Sequence, residues 1–168
     1  MNTSRPKTKL NAKTGLIVTS ILSLVNAGVG TVIAVKENLP SVTLVFTTTT
    51  GKPALEDFLT GNGTALSPPL YLCIIALLLI LLALQSKRPG MVGVVGLTIL
   101  GVIFLLGEFA ETSTYRVLNP VTFHLSVALV TLAAIVLALL MIVFGGVEIV
   151  QRRQAHRQGA SGRDKQSP

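Results

Sequence analysis

His124 stands in the tetrad FHLS, Phe123 to Ser126, inside an apolar run from Val121 to Gly146 that is otherwise almost entirely Val, Leu, Ile, Ala, Met and Phe. An ionisable side chain within such a run is a functional hypothesis by default. Its sequence-level companions are Glu108 and Glu111, which close the preceding apolar run, with Tyr115 and Arg116 just beyond. An imidazole beside two carboxylates is chemistry for binding a metal ion or passing a proton. The spacing weakens that reading. These residues lie on separate segments, and neither HxxxH nor ExxH occurs. The competing expectation is a histidine hydrogen-bonded to a neighbouring helix or to a glutamate near the water interface. It is the preferred one, and no metal or cofactor is expected.

A second set of polar residues, Asn26, Thr98 and Thr131, sits near the middle of three apolar runs. Three isolated neutral groups do not make a path for a substrate. They are expected to form hydrogen bonds between helices, worth about 0.6–2 kcal/mol each in a bilayer.

Several kinds of chemistry lack their residues. The single cysteine, Cys73, excludes an intrachain disulfide and paired-thiol redox chemistry. Two histidines, one of them in the tail (His156), cannot supply bis-histidine haem ligation. There is no HExxH helix, no serine with a base in an apolar run, and no Gly-rich loop with lysine. Every acid lies at or outside the ends of the apolar runs, unlike the deep carboxylate of small proton-coupled exporters. No catalytic motif remains, and the expectation is that the chain is not an enzyme.

The elements carrying these residues follow from composition. The chain has 168 residues, 50% hydrophobic and 12% charged, with a mean hydropathy of +0.69. A soluble domain carries about 25% charged residues. Half that share, gathered around apolar blocks, predicts an all-α integral membrane protein built as a four-transmembrane-helix bundle. The spans are 15–35, 69–85, 91–107 and 121–145, the middle two near the short limit of about 17 residues. Thr14, Ser67 before Pro68, and Asn119 before Pro120 are the expected helix caps. His124 then lies in the outer third of the last span. The triplet Val25-Asn26-Ala27 before Gly28 resembles a signal-peptidase site, but the apolar stretch continues to Val35, beyond the about 7–15 residues of a signal peptide.

Charge sets the expected orientation. Arg5, Lys7, Lys9, Lys13, Lys87, Arg88, Arg152, Arg153, Arg157, Arg163 and Lys165 fall on one side, against Lys36, Lys52 and Arg116 on the other. The positive-inside rule places segment 1–14 and tail 146–168 in the cytoplasm and loop 36–68 outside. The net charge of +7 flanks apolar runs and is not interleaved with aromatics, so it predicts anionic lipid headgroups as partners and no nucleic acid. In the outer loop, SVTLVFTTTT predicts an extended segment. KPALEDFLTG predicts either a surface helix presenting Leu55, Phe58 and Leu59, or a loosely ordered loop. Asn62-Gly63-Thr64 is a glycosylation sequon where a glycosylating pathway exists. VEIVQRRQAHRQ is expected to extend the last helix, with His156 solvated. The Gly/Ser-rich end after Gln158 has the composition of a disordered segment.

Small and polar residues fall on one face of three helices: Thr19, Ser23, Asn26, Gly30 and Ala34; Gly93, Gly96 and Gly107; and His124, Ala128, Thr131 and Ala138 with Ala134 at the edge. The run LYLCIIALLLILLAL has almost none and is expected to face lipid most. These features predict a multi-pass cell-membrane protein that acts by association, as an accessory subunit, assembly factor or scaffold. It would bind a protein partner through its outer loop or basic tail. The alternative is a small homo-oligomeric transporter or pore for a small solute or ion, its shared path lined by the glycine face of the third helix and the small and polar face of the first.

Overall fold

The computed structural model describes residues 11–39, 53–60, 63–85, 88–111 and 124–163. Regular structure there is helical apart from isolated bridge residues at Thr64 and Ser67, which pair with each other, and at Glu111. The helices are α1 (Ala12–Lys36), α2 (Ala54–Thr60), α3 (Leu70–Leu84), α4 (Arg88–Ala110) and α5 (Leu125–Arg163). Three of them, α1, α4 and α5, are long and apolar enough to cross a membrane, which marks a multi-pass membrane protein. At 15 residues, or about 22 Å at 1.5 Å per residue, α3 alone falls short of the usual minimum. The expected extended segment 41–50, Asn62 of the sequon, Tyr115, Arg116, the Asn119 cap and the side chain of His156 lie outside the described residues.

Caps differ from expectation. Asn11, not Thr14, caps α1, its Oδ1 accepting from Lys13 N at 3.2 Å. The asparagine side chain reaches the free amides of the first turn, so the helix starts three residues earlier. Pro69 holds the cap position of α3 without a side-chain bond. Ser67 is used elsewhere: its hydroxyl meets Thr31 Oγ1 at 2.8 Å and Thr64 Oγ1 at 3.0 Å. Helix α5 carries through to Arg163, past the Gly/Ser-rich residues expected to lack structure.

Two ends of the bundle can be told apart. At the basic end, Lys13 Nζ donates to Leu84 O and Gln85 O at 3.3 and 3.2 Å, satisfying carbonyls that the end of α3 leaves open. Gly15 faces Phe144 of α5 at the same level. At the loop end, Leu66 inserts with Ala34 of α1 and Val127 and Val130 of α5 into a small apolar cluster. The chain from α1 to α3 folds over this end. Asn38 takes a left-handed φ of 47°, accessible to asparagine, and its Oδ1 accepts from Ala54 N at 3.2 Å. Leu39 O accepts from Ala65 N at 3.3 Å. The helix expected in KPALEDFLTG is present as α2, with Ala54 and Asp57 buried and Leu55 and Leu59 exposed.

Helix α5 lies along both α1 and α4, while α3 lies along α4 and only partly along α1. The apolar α3, expected to face lipid most, buries few of its residues. Ala76, Ile80 and Ala83 are its buried side, and a side chain at Gly93 of α4 would collide with the backbone of Ala83. Close approach in lipid needs small residues on only one of two helices, so a glycine face suffices for both. Gly107, placed on the same face by spacing, has nothing near it. Leu16, Ile80, Ala83, Val94, Leu97 and Met141 join all four long elements in the main core.

Candidate functional site

Of the three groups expected to bond between helices, only Asn26 does so. Asn26, half-buried on α1, donates from Nδ2 to Val130 O of α5 at 3.1 Å. Thr98 donates to Val94 O of its own helix at 2.8 Å and packs against Gly145 of α5. Thr131 is buried beside Val130, and its hydroxyl makes no hydrogen bond among the described residues. Asn26 and Thr131 thus lie near one level of α5, whereas Thr98 lies elsewhere, opposite a glycine 14 residues further along α5. At 1.5 Å per residue that separation is about 21 Å, so the three do not form one cluster. Ser20 and Thr31 bond back to Leu16 O and Ala27 O, at 2.8 and 2.9 Å. Thr19 bonds back to Gly15 O.

His124 is placed differently from expectation. It precedes the first residue of α5 and is exposed, and its carbonyl accepts from Ala128 N at 3.0 Å. The described helix begins just after it, so the histidine stands at a helix start instead of within one. Glu108 and Glu111 do come together. They line a pocket of about 170 Å³ between the loop-end halves of α3 and α4, walled by Pro68, Leu72, Ile103 and Phe104. Glu111 follows α4 with its N–H donating to Gly107 O at 3.1 Å. His124 does not line this pocket. Among the described residues no three of His, Cys, Asp and Glu are grouped so as to hold a metal ion.

Two features escaped sequence reasoning. Glu148 is buried at the basic end, 8% exposed, with Arg152 Nε donating to its Oε1 at 2.6 Å. Its i,i+4 spacing was visible, but its burial against the other helices was not. The Thr31–Ser67–Thr64 hydroxyl cluster joins α1 to a turn 36 residues away, and nothing local in the sequence marks it.

Chemically, the loop end offers an apolar hollow with two carboxylates, and the seams offer amide and hydroxyl groups engaged with backbone. That is equipment for holding and packing. No protein-family model matches the chain, and neither the curated proteins nor the solved structures include a match.

Proposed function

We propose that this chain is a four-crossing protein of the cell membrane, with both ends in the cytoplasm, that acts by association as an accessory subunit, assembly factor or scaffold. The observation that carries the reading is the fate of the small and polar faces. Gly93 and Gly96, which a shared pore would need, are spent against Ala83 and Leu79 within one chain. Asn26 and Thr98 are spent on helix carbonyls. Such closure supports a self-contained bundle over a path between copies.

The level of the helix ends supports the crossing of α3. Its end meets Lys13 at the start of α1, and Leu66, just before its start, meets Gly30 and Ala34 near the end of α1. Helix α3 with its extended lead-in therefore covers the same depth as α1. The eleven-to-three distribution of Lys and Arg supports a cytoplasmic basic end. There the arginines of α5 suit anionic headgroups, each worth about 1 kcal/mol near such a surface. The exposed Leu55 and Leu59 of α2, with the basic tail at the opposite end, are the surfaces left for a protein partner.

Native mass spectrometry of the protein extracted from its own membrane in mild detergent tests this. A second polypeptide in fixed ratio is the expected result. A defined homo-oligomer with no other chain would sink the proposal and favour transport.

A further inference from the structure

Helix α5 carries its charge on one side where it runs past its described contacts with the bundle. The last aliphatic residue of its apolar run is Val150, and the helix continues to Arg163, about 20 Å further at 1.5 Å per residue. The headgroup layer on one side of a bilayer is only about 5–8 Å deep. It takes in the positions of Arg152 and Arg153 and leaves those of Arg157 and Arg163 beyond it. An α-helix turns about 100° per residue, which places Arg152, Arg153, His156, Arg157 and Arg163 within about 140° of arc. Between Gln151 and Gly162, the remaining arc holds only glutamine, alanine, glycine and serine.

That composition excludes several occupants. A helix lying on lipid needs an apolar face, and a coiled coil needs apolar a and d positions. The neutral arc supplies neither, and a second copy of this face would set like charge against like. Nor does the chain hold an acid for it. The acids from Glu37 to Glu111 belong to the loop end, Glu148 is engaged by Arg152 at 2.6 Å, and Asp164 stands between Arg163 and Lys165. These few charges fall short of the about 6–10 phosphate contacts of a nucleic-acid binder. Arg153, His156 and Arg157 are spaced i, i+3 and i+4, the spacing at which acids line up on one helix face.

We infer that the projecting face of α5, from Arg153 to Arg163, docks an acidic helical segment of a protein partner. The inference rests on the association reading and names the chemistry of the partner.

The full chain in phosphatidylcholine nanodiscs would be titrated with a fluorescein-labelled alanine-based helical peptide carrying glutamates at i, i+3 and i+4, and with its lysine counterpart. A charge-conserving variant exchanges two arginines with the glutamines that follow them: Arg153→Gln with Gln154→Arg, and Arg157→Gln with Gln158→Arg. Net charge is kept and helix propensity barely changes, while two charges leave the face. The glutamate peptide binds the native chain, and the exchange weakens it at least about fivefold, the loss expected from two exposed ion pairs. The lysine peptide binds neither. Equal binding of the glutamate peptide to both chains overturns the inference, because bulk charge alone would then hold it. No binding to the native chain does the same. Tighter binding of duplex DNA of equal charge overturns it in favour of nucleic acid. Loss of the peptide when the discs carry phosphatidylglycerol overturns it in favour of lipid headgroups. Native mass spectrometry of the same two chains separates this inference from the association reading. A second polypeptide retained equally by the exchange variant leaves association standing and sinks the acidic docking face. A native chain that extracts alone sinks association, and the peptide titration then decides the face by itself.

Discussion

Gly145 and Thr98 meet where α4 and α5 cross, and the contact is close enough that any side chain on the glycine runs into the threonine hydroxyl. Gly145→Ala should cost about 1–3 kcal/mol, the usual range for overpacking. Thr98→Ala removes the hydroxyl and the methyl that the new Cβ would strike, so part of that cost returns in the double variant. Unfolding titrations of the four proteins in detergent give the coupling. An equal cost of Gly145→Ala in both backgrounds would mean that the two helices do not touch there. Gly146, one position on, faces open space, and Gly146→Ala should change stability by less than about 0.5 kcal/mol. At this scale the sequence was legible in kind and not in pairing. Asn26 and the glycines stood out because a small or polar residue in an apolar run needs a reason. Which helix each would meet is decided by tertiary packing: Gly93 and Gly96 meet α3, and Gly107, on the same face by spacing, has open space where a side chain would go.

The helices themselves show what apolar runs do and do not specify. Their interiors were plain from composition, and their ends were set by individual side chains. Asn11 lengthens α1, and Ser67 leaves α3 uncapped to hold α1 instead. His124 moved with the boundary, from inside a helix to its start. The element on which topology turns is α3, short by length but anchored at one end by Lys13 and preceded at the other by Leu66. Single cysteines test it in a Cys73→Ser background. Lys87→Cys, between α3 and α4, should react with a membrane-impermeant maleimide only from the cytoplasmic side. Lys52→Cys, in the loop before α2, should react only from outside. Labelling of Lys87→Cys from the outer side would mean that α3 turns back without crossing, leaving three spans and the two chain ends on opposite sides.

For the whole molecule, length and charge point the same way. Helix α5 has 39 residues, about 58 Å at 1.5 Å per residue, against an apolar bilayer core of about 30 Å. Its last contribution to the main core is Ile149, and the Glu148–Arg152 pair follows at once. Beyond that pair the described side chains, Arg153, Gln154 and Ala155, are exposed. The described contacts of α5 with the bundle thus end at Glu148 and Arg152. Deleting residues 158–168 should leave the melting temperature unchanged, since no described core contact is lost. Arg152→Gln should do the opposite. It strips a mostly buried carboxylate of its ion-pair partner, a loss costing about 3–5 kcal/mol for a fully buried pair and less for this partly exposed one. Adding Glu148→Gln to it should recover stability, because two neutral amides at this spacing leave no charge stranded. Melting curves of the deletion, the single and the double variant separate these contributions. A deletion as damaging as Arg152→Gln would place the end of the bundle further along α5.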